Sequence, residues 1–321
     1  MYSHKISNNS RIFNFQFSTF NFNRYFCESI IHVQRNNIFT TLATKRYNNK
    51  GKGGSHRPAH SGDPNYVRPK KALGQHFLTD MGVARSIAEA MSEGGDVLEV
   101  GCGTGVLTQF LLSRGDIRTW GAEVDGESVE YLHRHYPEFT PRLIFGDFLN
   151  LPLNEMFPNG LKVIGNFPYN ISSQIFFKVL DYKDLIPEVV GMVQREVALR
   201  IASPAGNRDY GILSVLMQAW YDIEYLFTVH ENVFNPPPKV KSAVVRMTRN
   251  NVTELGCDEK LFVKVVKAAF SQRRKMLKTP LKATFGDFGG AEHEFFSLRA
   301  EALSVQDYIA LTNWVAEHIS E

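Results

Sequence analysis

The chain has 321 residues, a formal charge of +3, 43% apolar residues and 12% aromatics. That composition excludes a wholly disordered protein, and no apolar run approaches the roughly 20 residues that span a bilayer. Cys27, Cys102 and Cys257 are odd in number and widely scattered, which excludes a disulfide framework or a cysteine zinc site and fits a reducing compartment.

Charge is distributed in blocks. Residues 1–71 carry a net +10, residues 72–245 a net −8, residues 246–285 a net +7 and residues 286–321 a net −6. Residues 1–50 hold nine Asn, seven Phe and a single acid, Glu28, with no helical or strand period. A Gly-, Ser-, His- and Pro-containing stretch follows to residue 68, a linker composition. Residues 1–68 therefore read as a disordered basic tail and linker. Three origins fit it: an organelle transit peptide, a translation start assigned too far upstream, or a basic arm that tethers RNA.

An alternating pattern begins near residue 70. Asp96–Gly101, Arg118–Val124, Arg142–Gly146, Leu161–Asn166 and Val189–Gln194 read as strands. Val106–Arg114, Gly126–His135 and Ile171–Leu180 read as helices between them. Alternation of this kind predicts an α/β fold with a parallel sheet covered on both faces. Ligands of such sheets bind at the carboxyl ends of the strands, where four motifs fall.

The first is Glu99-Val100-Gly101-Cys102-Gly103-Thr104-Gly105. Its G-x-G-x-G spacing differs from the dinucleotide fingerprint, which favours a small nucleoside ligand over a pyrophosphate. A plain strand-to-helix turn also accounts for it. The second is Glu123, 22 residues after Gly101, placed to accept hydrogen bonds from ribose hydroxyls or to stand as an exposed strand-end carboxylate. Asp125 beside it reads as solvated. The third is Gly146-Asp147-Phe148. Asp147 can accept from an adenine amino group while Phe148 covers the ring, or Asp147 can cap a turn. The fourth is Asn166-Phe167-Pro168-Tyr169. An exocyclic adenine amine is a poor nucleophile, because its lone pair is delocalised into the ring. Acceptors from the Asn166 side chain and the Phe167 carbonyl would draw it toward a reactive geometry. Pro168 would fix the backbone and Tyr169 stack on the base. An ordinary Pro turn begun by Asn is the alternative.

Further on, Asp258–Phe270 carries an apolar stripe of Leu261, Phe262, Val265, Val266 and Ala269, headed by Asp258 and Glu259. A second helical pattern, Val305–Ile319, is expected to pack against it. Between them lies a basic cluster from Arg273 to Lys282, in which Arg273, Arg274, Lys275 and Lys278 are candidate phosphate contacts. Alone, the cluster also fits a solvated helix face.

With these motifs in order, the chain resembles the rRNA adenine N6-dimethyltransferases that modify small-subunit rRNA. The likeness runs from about Lys70 to the C-terminus. It includes Lys71-Ala72-Leu73-Gly74-Gln75-His76-Phe77-Leu78, the four strand-end motifs, Gln194-Arg195-Glu196-Val197-Ala198 and Tyr210–Val215. It also includes Val233-Phe234-Asn235-Pro236-Pro237-Pro238-Lys239-Val240-Lys241-Ser242 with the apolar run after it. The resemblance implies a Rossmann-like S-adenosylmethionine-dependent methyltransferase domain over residues 69–250 and a small helical RNA-binding domain over residues 251–321. It implies donor contacts at His76, Leu78, Gly101, Gly103, Glu123, Asp147, Phe148 and Asn166. Tyr169 and Phe234 would flank the flipped adenine. The catalytic segment would be Asn166, Phe167, Pro168 and Tyr169, with no metal.

The implied product is N6,N6-dimethyladenine at two adjacent adenines near the rRNA 3′ end. The implied partner is the small ribosomal subunit precursor, met by a cytoplasmic monomer without a membrane partner. Two residues depart from the family pattern. Cys102 stands where Pro is frequent, and is expected to be a packed thiol. His76 stands where Asn is frequent, and would make donor affinity sensitive to pH. The alternatives are a non-catalytic assembly or mitochondrial transcription factor of the same fold, a large-subunit rRNA dimethylase giving antibiotic resistance, and a DNA adenine methylase. The intact N-F-P-Y segment argues against the first. The Pro-rich segment and C-terminal lobe argue against the second. The aromatic residue before Pro168 argues against the third.

Overall fold

The structure, a computed structural model, describes residues 66–319. Most of the tail and linker anticipated over residues 1–68 lies outside them.

A short strand, β1 (Phe77–Leu78), leads into a helix, Met81–Ala90. Asp80 starts that helix by accepting from the backbone N–H groups of Gly82 and Val83 at 2.8 and 3.0 Å, a standard answer to unpaired first-turn donors. Strands β2 (Asp96–Val100), β3 (Arg118–Glu123), β4 (Leu143–Phe145), β5 (Lys162–Asn166) and β6 (Glu188–Gln194) follow, with helices between them. The helix after β2 covers Thr108–Leu112, shorter than its apolar pattern predicts. The glycine turn occupies its start, and Arg114 leaves its end to donate to Ala88 and Met91 carbonyls.

Sheet order is β4-β3-β2-β5-β6, then β9 (Ser242–Arg249) and β7 (Tyr221–Val229). The first five strands are parallel. The last two run antiparallel, to β6 and to each other, so the parallel sheet expected from the first five strands carries an antiparallel edge beyond them. Between β7 and β9 the chain holds no crossover helix, and parallel neighbours need one. That connection instead carries β8 (Phe234–Asn235), which pairs antiparallel with β1.

The chain leaves β2 toward β3 and β4, then returns to add β5 and β6 on the other side. The carboxyl ends of β2, β3 and β5 therefore converge at the point where strand order reverses, the usual ligand site of an open α/β sheet. Beneath it, Val97, Ile164, Val190 and Met192 are among the buried residues of an apolar cluster.

After β9 come helices Glu259–Ser271, Lys278–Phe285 and Val305–His318. The first meets both others and the helix Ile212–Gln218 of the α/β part. Phe262, Val265, Val266 and Ala269 form its buried stripe, as the apolar spacing predicts. Ser304 and Asp307 form a reciprocal cap at the start of the last helix.

Candidate active site

The cleft at the strand ends is built in layers. The turn after β2 supplies Gly101 and Gly103. Gly101 has φ +76°, and its open side faces the Pro168 ring 4.0 Å from where a Cβ would stand. A side chain there would be strained and would fill the floor of the cleft. β3 supplies Glu123, 3% exposed. One carboxylate oxygen of Glu123 accepts from the Gly103 N–H at 2.8 Å. The other accepts from Val124 and Asp125 N–H, each at 2.8 Å. Burial pushes the Glu123 carboxyl above its ordinary range against the opposing pull of these bonds. Glu123 therefore holds the glycine turn as well as facing the cleft.

Asp147 and Phe148, after β4, line the same cleft. Asp147 also caps the short turn that follows, accepting from Leu149 N–H and Asn150 Nδ2, each at 2.9 Å. The turn-capping reading of this residue is thus met, and the same residue lines the cleft.

Asn166, Phe167, Pro168 and Tyr169 complete the wall at the end of β5. Asn166 Nδ2 donates to the His76 carbonyl at 2.9 Å. A carbonyl accepts but cannot donate, so this bond fixes the amide orientation and leaves Asn166 Oδ1 as the acceptor. Phe167 is fully buried, with its ring edge-on to Phe176 at 6.0 Å. The side chain anchors the segment in the core. The Tyr169 ring stacks on His76 at 5.4 Å, and its hydroxyl is hydrogen-bonded to the Ser242 hydroxyl. Burial pushes the Tyr169 phenol upward, so it remains neutral.

The entry segment covers one side. His76 lines the cleft, and its Nδ1 meets the Pro236 carbonyl at 2.7 Å. Gly74 (φ +66°) approaches the residue after Tyr169 so closely that a Cβ would stand 2.5 Å from Asn170 Oδ1. Lys70 and Gln75 both reach the Asp125 carboxylate. Asp125 is 2% exposed and caps helix Gly126–His135, which corrects its reading as a solvated neighbour. Burial opposes its charged form, but the bonds from Lys70 and Gln75 outweigh that and hold its pKa below the ordinary value. Asp followed by a helical pattern was a legible cap signal.

Two residues expected at the site are placed elsewhere. Leu78 and Phe234 are 5% and 4% exposed, pair across β1 and β8, and belong to the apolar cluster beneath the sheet's strand ends. Neither lines the cleft. Their pairing spans more than 150 residues of chain, so local sequence could not reveal it. Phe77, beside Leu78, does face the cleft; along a strand, neighbours alternate faces. Cys102 is the packed thiol expected, 4% exposed, with burial pushing its pKa well up. Glu99, under the glycine turn, accepts from Thr108 Oγ1 at 2.6 Å, and burial raises its pKa to about 8.

The basic cluster divides. Arg273 donates to the Arg208 and Tyr210 carbonyls and approaches Glu301. Lys278 pairs with Glu292 and Lys282 with Asp287. Arg273 and Lys278, expected as phosphate contacts, are thus engaged with the protein's own groups, with side chains 42% and 43% exposed. Arg274 and Lys275 are exposed, with no ion pair among the described residues.

The cleft suits a nucleoside-bearing methyl donor. It is lined by the glycine turn, by carboxylates after two strands, by the rings of Phe148 and Tyr169, and by Asn166. Among the described residues no cluster of side chains could hold a metal ion.

Residues 67–317 match the family model described as ribosomal RNA adenine dimethylase. The chain is 55% identical to ribosomal RNA small subunit methyltransferase A of Parabacteroides distasonis, over 79% of this chain and 97% of that protein. It is 56% identical to the protein of the same name from Porphyromonas gingivalis, over 77% and 97%. Among solved structures, a dimethyladenosine transferase from Plasmodium falciparum superposes with TM-score 0.63 at 24% identity, covering 76% of this chain and 100% of that one. The 23S rRNA methyltransferase ErmE superposes with TM-score 0.56 at 21% identity, covering 75% and 99%. Those two likenesses concern the fold. Together with the extent of the family match, the identities to the curated relatives establish that the chain is a member of the ribosomal RNA adenine dimethylase family.

Proposed function

We propose that this chain is an S-adenosylmethionine-dependent dimethyltransferase acting on N6 of two adjacent adenines near the 3′ end of small-subunit rRNA during subunit assembly. The observation that carries the chemistry is the orientation of Asn166. With Nδ2 committed to the His76 carbonyl, Oδ1 presents an acceptor to the amine of an adenine in the cleft.

S-adenosylmethionine supplies an electrophilic methyl group on its sulfonium. The chain supplies position. Gly101 and Gly103 admit the donor closely, Glu123 lies where a ribose would stand, and Asp147 with Phe148 lie where its adenine would. Asn166 Oδ1 and the Phe167 carbonyl accept from the target amine, and Pro168 limits backbone freedom between the two acceptors. Preorganised acceptors of this kind act mainly by orientation and electrostatics. Tyr169, held by Ser242 and His76, offers an aromatic face that offsets part of the few kcal/mol spent unstacking a base. Phe234 takes no part in this reading.

The fold alone does not choose between small- and large-subunit rRNA, since it also matches an enzyme described as a 23S rRNA methyltransferase. The choice rests on identities of 55–56% to small-subunit methyltransferases. Arg274 and Lys275 are the RNA-facing cations of a C-terminal lobe formed by residues 251–321. The enzyme acts as a cytoplasmic monomer. No helix among the described residues is long and apolar enough to cross a membrane.

The test is transfer of labelled methyl from S-adenosylmethionine to undermethylated small subunits and to large subunits. Label is expected in small-subunit RNA. Label confined to large-subunit RNA, or none in either despite donor binding, would reject the reading.

A further inference from the structure

Lys178 lies in the middle of the apolar helix Ser172–Asp181. It is 4% exposed, which is rare for a lysine without firm partners. Its ammonium donates to the Leu149 carbonyl at 3.0 Å and to the Leu151 carbonyl at 2.6 Å. It also stands 5.6 Å from the Phe148 ring centroid and 5.1 Å from that of Tyr182, within cation–π range. Asp147 and Asp181 are the carboxylates that act on it, and burial pulls its pKa down to about 8.

The loop it grips needs holding. β4, which delivers the loop, is three residues long and pairs only with β3 at the sheet edge. The turn after it is a single short helical turn, Phe148–Asn150. The helix that carries Lys178 begins three residues after Tyr169. One ammonium thus ties the loop carrying Asp147 and Phe148 to the helix that continues from the catalytic segment.

We propose that Lys178 is a positioning residue: it clamps the Asp147–Leu151 loop so that Phe148 and Asp147 hold the adenine of the methyl donor at a fixed height relative to Asn166. This rests on the reading of Asp147 and Phe148 as the adenine end of the donor site. A merely structural lysine would affect stability and spare the ligand affinity of the folded protein. A clamp at the adenine end weakens any ligand bearing that base, whether or not it carries the amino-acid end.

The probes are adenosine and S-adenosylhomocysteine, titrated calorimetrically into the full chain, with binding of small subunits measured without donor. Lys178→Met and Lys178→Gln are each expected to weaken both ligands by a similar factor, about tenfold, with subunit binding unchanged. Lys178→Arg, which retains several donors, is expected to recover most of that loss. Full adenosine affinity in folded Lys178→Met or Lys178→Gln would overturn the clamp, as would a loss confined to S-adenosylhomocysteine or a Lys178→Arg as weak as Lys178→Met. Phe148→Ala separates the two layers. Unchanged adenosine affinity in Phe148→Ala would overturn the placement of the adenine itself. A loss there with none in the Lys178 variants would overturn the clamp alone.

Discussion

The strand-end cleft and the basic cluster of the C-terminal lobe were both marked by sequence, and the structure treats them differently. In the cleft, Gly101, Glu123, Asp147 and Asn166 converge as their spacing predicts. In the lobe, of the four cations singled out, Arg273 and Lys278 are engaged with the protein's own carbonyls or carboxylates. The difference is one of what sets position. A residue at the end of a parallel strand is placed by sheet register, and register is written in short apolar runs and the turns between them. A surface cation is placed by partners such as Glu292 and Glu301, whose proximity only the finished fold decides.

The largest effect expected falls on neither feature but on Phe234, a residue expected at the cleft and found in the core. Phe234→Ala, as a core truncation, should lower stability by about 3–5 kcal/mol, measured by denaturant unfolding. Full stability with lost transfer would return the ring to the substrate.

Next comes Asn166→Ala. It removes the acceptor and should lower methyl transfer by about a hundredfold or more while the protein stays folded, read by single-turnover kinetics and circular dichroism. Transfer within a few-fold of the parent would remove Asn166 from the chemistry.

Smaller is the response of the cluster. Replacing Arg274 and Lys275 together with Ala should weaken subunit binding and flatten its log–log salt slope by roughly 0.7–0.9 per lost phosphate contact. Arg273→Ala should instead lower the thermal midpoint, because it unties the Arg208–Tyr210 carbonyls. An Arg273→Ala variant with an intact midpoint and a flattened slope would reverse the assignment.

A further effect concerns Glu99. Its folded pKa is about 8 against an ordinary 4.5. Between those values the folded protein keeps a proton that the unfolded chain releases, so this group's contribution to stability falls as pH rises across that window. Glu99→Gln should flatten that fall, giving a smaller difference in unfolding midpoint between pH 5 and pH 8. An undiminished difference would mean the carboxyl is already ionised in the fold.

Legibility follows the same physical line. The parallel strands, the glycine turn and the N-F-P-Y wall were readable because each is a local pattern. The antiparallel edge of β7 and β9 was not, since alternation of strands and helices stops before it. Leu78 and Phe234 were misplaced because strand pairing between distant segments decides which face they take. Asp125 and Lys178 could have been found locally: an acid immediately before a helix is a cap signal, and a lone lysine inside Ile175–Leu180 asks for a buried partner.

The central claim is that the Asn166–Tyr169 wall presents adenine N6 of small-subunit rRNA to a methyl donor. The direct measurement is mass spectrometry of rRNA fragments from undermethylated small subunits incubated with the protein and S-adenosylmethionine. The account predicts N6,N6-dimethyladenosine at two adjacent adenines near the 3′ end, absent when Asn166→Ala replaces the parent. Methylation at another base or another ring position, or an unchanged pattern with Asn166→Ala, would contradict it.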